Sequence, residues 1–138
     1  MVDSKRIQDW LNKAIEDLEA SKILFNYNGS RSLVAFHTHQ ALEKAYKAYL
    51  LYKTEQLEEG HSLIFLNKQC ANHDMDFASF KSASVRLNKY YIGTRYPADF
   101  PMHVNDDEAR DAIKAADDIL DLVRNKIPVC PRSLNGTD

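Results

Sequence analysis

Glycine and proline are scarce, four of each in 138 residues, and cysteine occurs only twice. So little Gly and Pro excludes a collagen-like or low-complexity chain, and two cysteines exclude a disulfide scaffold. Cys70 and Cys130 lie far apart without CxxC spacing, and read as a packed thiol and a tail thiol with no metal or redox role. No run of about 18 apolar residues occurs, which excludes a transmembrane helix. The N-terminus, Met1-Val2-Asp3-Ser4-Lys5-Arg6, lacks an apolar signal-peptide core, so a cytoplasmic location is expected. Neither charge sign dominates: 18 basic and 20 acidic side chains leave a formal charge of -2. That balance argues against a broad basic surface for duplex DNA, while leaving room for a local patch.

What is present is a helical period, carried by a chain long enough for one domain. Ile7, Trp10, Leu11, Ala14, Leu18 and Leu24/Phe25 recur at three- and four-residue steps from about Ser4 to Phe25. Asn26-Tyr27-Asn28-Gly29 stops that helix, and Ser30 or Ser32 caps a second one running to about Lys53. Its stripe is Leu33, Phe36, Gln40/Ala41, Lys44/Ala45, Ala48 and Leu51, and Tyr46, Tyr49 and Tyr52 fall on other faces. After a polar link comes a short helix with Leu63, Leu66, Asn67 and Cys70 on one side.

Asp74 or Asp76 caps an expected fourth helix from about Phe77 to Tyr91. The stretch from Ile92 to Met102, with Gly93, Pro97 and Pro101, reads as a loop. Asn105 and Glu108 have capping-box spacing at the start of a last helix to about Ile127, and Pro128 and Pro131 end it. The expectation is an all-α fold, an antiparallel up-down helical bundle of four long helices plus one short helix. Residues 1–128 form the bundle and 129–138 a mobile C-terminal tail.

Several residues invite a chemical reading. Gln40, Lys44 and Lys47 share one stripe of the second helix, and Glu43 precedes Lys47 in the favourable orientation for an ion pair. They read either as solvated salt-bridging or as partly buried groups at a groove or dimer contact. His61, just after Gly60, reads as a helix-start residue or as a groove-lining imidazole. Arg95 and Tyr96, before Pro97, combine a donor fork for phosphate with a stacking face, as in grips on single-stranded RNA or a nucleotide. The alternative is that Arg95 pins its loop by pairing with Asp99 or Glu43. No metal set is visible, since His37 and His39 are two residues apart and point to different faces, and no cofactor is expected. Tyr46, Tyr49, Tyr52 and Tyr90, off the main stripes, suggest an aromatic interface and hence a homodimer.

Five pieces of sequence occur together in one order. They are Trp10…Ala14…Asp17-Leu18, then Ala35-Phe36-His37-Thr38-His39-Gln40-Ala41-Leu42-Glu43-Lys44, Gly60-His61-Ser62-Leu63, Tyr90…Arg95-Tyr96-Pro97, and Glu108-Ala109…Ala116. In this the chain resembles the HEPN domain family over about residues 5–127. The resemblance implies a helical bundle, a two-fold dimer, and association with a minimal nucleotidyltransferase in a toxin–antitoxin type pair. Catalytic members of that family carry Arg and His separated by four to six residues near a late helix. Here Arg95 and His103 are separated by seven, and Arg31 and His37, which fit the interval, lie too early in the chain and read as a chance match.

The preferred expectation is therefore a binding protein for nucleotide or single-stranded RNA, for a nucleotidyltransferase, or for both. Its groove is formed by Arg95, Tyr96, His61, Lys44, Gln40 and Lys47. The alternative is a metal-independent endoribonuclease toxin using Arg95 with His103 or His61.

Overall fold

Six α-helices and one 3-10 turn account for the regular structure of a computed structural model, which describes residues 4–93 and 103–128, without the side chains of 92 and 93. Helix α1 spans Ser4–Asn26, α2 Arg31–Thr54, α3 Leu63–His73, α4 Lys81–Asn88, α5 Tyr90–Gly93 and α6 Asp106–Lys126; the 3-10 turn covers Met75–Phe80. No strand occurs among the described residues. None of these helices is long and apolar enough to cross a membrane.

The α1–α2 hairpin turns as its sequence demands. Asn28 takes the left-handed conformation at φ 59°, and the N–H of Gly29 reaches back to the carbonyl of Leu24 at 2.6 Å. Space is tight at Gly29: a Cβ there would stand 2.7 Å from Leu24 Cδ2 and 3.0 Å from the Leu24 carbonyl oxygen. Ser30, rather than Ser32, caps α2 by accepting from the N–H of Leu33. Arg31 then locks the corner, donating to the carbonyls of Phe25 and Gly29 and to Asp106 on α6 while its guanidinium lies over the Phe25 ring.

Helix α2 is the centre of the bundle, packed against α1, α3, α5 and α6. Fourteen of its residues are buried, including Thr38, His39, Glu43 and Lys47, so its apolar and polar residues share the interior. This corrects the reading of the off-stripe tyrosines. Tyr46 and Tyr49 are buried in the core against Phe77, with ring centroids 6.1 and 4.6 Å apart, Tyr90 is buried too, and Tyr52 is half-buried. The homodimer expectation loses that basis. Cys70 is packed, and burial raises its thiol pKa. Helix α6 follows expectation, with the full Asn105–Glu108 capping box and its alanines, Ile119 and Val123 turned inward.

The expected fourth helix is broken. Asp74 caps the segment, but Met75–Phe80 is a 3-10 turn, followed by the eight residues of α4 and the four of α5. The cause is a diverted carbonyl. Phe77 C=O accepts from Nδ2 of Asn67 on α3, and the N–H of Lys81 bonds to Ala78 instead. Residue 128 is the last described, so the tail expected at 129–138 lies outside the described residues.

Candidate functional site

A buried carboxylate organises a polar face in the middle of α2. His39, Glu43 and Lys47 stand at successive four-residue steps and so lie one above another. Glu43 is 6% exposed and receives the Lys47 ammonium at 2.8 Å. It also lies 3.1 Å from Nδ1 of His61, which enters from the link before α3. A buried carboxylate survives only when paired and hydrogen-bonded, and these two partners meet that need.

The pairing orients His61. A carboxylate oxygen accepts, so the proton of this hydrogen bond sits on Nδ1, and in that tautomer Nε2 is an acceptor. The His61 ring stacks on Tyr91 at 4.3 Å between centroids and 15° between planes. Its side chain remains 50% exposed. A hollow of about 420 Å³ opens there, lined by His61, Ser62, Asn88, Lys89 and Tyr91. Its rim is rigid because Ser62 caps α3 by accepting from Phe65 N–H, and Asn88 Oδ1 accepts from Leu63 N–H at 2.8 Å. His61 is thus beside the helix start, with Ser62 as the cap.

Behind this front lies His39, fully buried, with its ring 5.3 Å from that of Tyr91. Among the described residues neither ring nitrogen makes a well-formed hydrogen bond; the His61 backbone lies near enough to favour the charged ring weakly, and Nδ1 is 3.9 Å from the Glu43 carboxylate. Burial pushes its pKa from 6.5 down to about 4 against the opposing pull of Glu43, so the ring is neutral at pH 7.

The residues singled out in the sequence separate into groups. His61 and Lys47 meet on Glu43. Lys44 is instead paired with Asp17 of α1, whose other oxygen lies 3.1 Å from Nδ1 of His37. Gln40 is half-buried and makes no side-chain hydrogen bond among the described residues. His103 is exposed ahead of α6. Arg95 and Tyr96 lie outside the described residues. Arg31 and His37 have different partners, Asp106 and Asp17. Sequence reasoning missed Tyr91 and the buried His39; the four-residue ladder of His39, Glu43 and Lys47 was the available signal. Among the described residues, no three His, Cys, Asp or Glu groups are arranged to hold a metal ion.

The helical bundle and this acid–imidazole front define the class of molecule: a small all-α domain with a hollow, fronted by His61 and Tyr91, beside the middle of its central helix. The sequence pattern of the HEPN domain matches residues 7–126, and the chain belongs to the HEPN domain family. It is similar to the crystal structure of TT1696 from Thermus thermophilus, with 31% identity and a TM-score of 0.78 over 88% of this chain and 98% of that one. It is also similar to ST0689, an archaeal HEPN homologue, at 26% identity and a TM-score of 0.70, covering 88% of this chain and 97% of the other. No curated protein matches the sequence.

Proposed function

We propose that the protein binds a nucleotide or single-stranded RNA at the hollow fronted by His61 and Tyr91. The observation that carries this reading is the half-exposed His61 ring, held through Nδ1 by buried Glu43 and stacked on Tyr91. The arrangement offers a fixed Nε2 acceptor to a base edge and Lys89 to a phosphate. In sequence, Arg95 and Tyr96, the groups suited to phosphate and stacking, follow Tyr91 by four and five residues. In this reading the macromolecular partner is a minimal nucleotidyltransferase in a toxin–antitoxin type pair, as the HEPN resemblance implies.

The test is fluorescence anisotropy of a labelled oligoribonucleotide and competition by AMP, using the full chain. His61→Ala should weaken binding about tenfold, the loss of one good hydrogen bond, while the variant stays folded with a modestly lowered melt, since Glu43 keeps Lys47. Absence of binding by the wild type, or equal binding by the variant, sinks the proposal.

One observation favours the endoribonuclease alternative. A buried acid that orients an imidazole is the arrangement used to ready a general base. Incubation of RNA with the protein and chelator separates the two readings: fragments that disappear with His61→Ala indicate cleavage, whereas intact RNA beside measured binding supports the binding protein.

A further inference from the structure

The Lys47 ammonium that holds Glu43 also lies 5.9 Å from the centroid of the Trp10 ring on α1. Trp10, the single tryptophan, is half-buried and borders a second hollow of about 330 Å³, shallow and mostly apolar, whose other lining residues are Asp9, Lys13 and Lys44. Its indole N–H makes no hydrogen bond among the described residues, so a donor is available at the edge of a flat ring. A core tryptophan normally has that N–H matched when buried.

The rim charges can be exchanged cheaply. Lys13 is paired with Glu16 at 3.3 Å and Asp9 with Lys5 at 3.0 Å, all four side chains more than half exposed. Exposed pairs at such spacing are worth only a few tenths of a kcal/mol, so a phosphate can replace Glu16 on Lys13 at little cost. Asp9, already neutralised by Lys5, repels an anion weakly. Lys44 is the more fixed cation, since Asp17 holds it in a half-buried site.

We propose that the Trp10 hollow is a second ring-stacking subsite, so that the ligand is an oligoribonucleotide of at least two residues rather than a mononucleotide. The inference rests on the nucleotide or single-stranded RNA reading of the His61 hollow. The buried Glu43–Lys47 pair touches both places, His61 through the carboxylate and Trp10 through the ammonium. A ring against indole and its neighbour near His61 would place the linking phosphate close to lysines.

Because only one tryptophan exists, its emission reports on this subsite alone. The full chain is titrated with an oligoadenylate of about six residues, within the usual site sizes for single strands, and with AMP. Anisotropy of the labelled oligomer is followed in parallel. The expected result is quenching by the oligomer but not by AMP, together with a roughly tenfold loss of oligomer affinity in Trp10→Leu and unchanged AMP binding. Oligomer binding without quenching, and undiminished in Trp10→Leu, overturns the second subsite and leaves the first reading intact. Equal quenching by AMP also overturns it. No binding of either ligand removes both proposals. An emission shift that follows protein concentration alone assigns the hollow to a second copy of the chain and overturns the inference.

Discussion

The Glu43 carboxylate, 6% exposed, lies 3.1 Å from Nδ1 of a His61 side chain that is 50% exposed. The pair joins the interior of the bundle to its surface, and the buried end sets the tautomer of the open end. Lys47 makes this possible by cancelling the carboxylate charge from inside.

Replacing Glu43 by Gln tests that dependence. Lys47, only 7% exposed, then loses its counter-ion, and His61 loses the acceptor that fixes its proton. Stability should fall by about 2 kcal/mol, the scale of an unmatched buried charge that keeps a neutral hydrogen-bond partner. Urea denaturation at pH 7 measures it, and nitrogen-15 shifts of the His61 ring should move from a single tautomer toward a mixture. An unchanged ring spectrum would show that Glu43 does not set the tautomer.

His39 makes the fold acid-sensitive in a definite direction. Its pKa falls from 6.5 to about 4 through burial, so between those values the unfolded chain binds a proton that the folded chain does not. The stability linked to His39 is fully present above about pH 6.5, declines as pH falls toward 4, and is lost below that, about 3 kcal/mol in all. The groups facing the ring are Glu43 and Lys47 on its own helix, His61, and Tyr91 on α5. His39→Leu should be as stable as the wild type or more so at pH 7.5, because two unmatched nitrogens disappear. The difference between variant and wild type should widen by pH 5 in urea melts. A constant difference across that range would refute the linkage.

Periodicity makes most of the bundle legible, and local chemistry places its ends. The stripes of α1 and α6, the Ser30 cap and the Asn105–Glu108 box depend on residues within one turn of each other. The broken fourth helix depends on Asn67, ten residues before the carbonyl it takes, which no local pattern displays. The α2 sequence marks a helix but suggests free faces that the fold does not leave, because neighbours on several sides bury its apolar and polar residues alike. Glu43 and Lys47 are visible as an ion pair, but their burial is not, since spacing says nothing about what packs outside a helix. His61 stands out by its place after Gly60; its partner does not.

Arg31 carries the α1–α2 corner through three acceptors and one ring. Arg31→Ala removes charge-assisted bonds to Phe25 C=O, Gly29 C=O and Asp106, and should cost about 2 kcal/mol in urea denaturation. Arg31→Lys should recover less than half of that, because one ammonium cannot reproduce a planar fork that spans two carbonyls, a carboxylate and a ring face. Full recovery by lysine would reduce the role of Arg31 to its charge.

The link between α3 and the broken fourth segment is a buried polar knot. Asn67 Nδ2 donates to the Tyr46 hydroxyl at 3.2 Å and to Phe77 C=O at 3.0 Å, and the hydroxyl also meets Ser84 Oγ at 2.7 Å. Asn67→Leu keeps the branching at Cγ but strands the Phe77 carbonyl, at an expected cost of about 2 kcal/mol. Tyr46→Phe leaves Ser84 its bond to Phe80 C=O, and should cost about 1 kcal/mol. Since both substitutions break the same Asn67–Tyr46 bond, the double variant should lose less than the two single losses combined, by more than about 0.5 kcal/mol. Strict additivity in a denaturation cycle would mean that the knot is two independent bonds, and the diverted Phe77 carbonyl would then owe its 3-10 geometry to Asn67 alone.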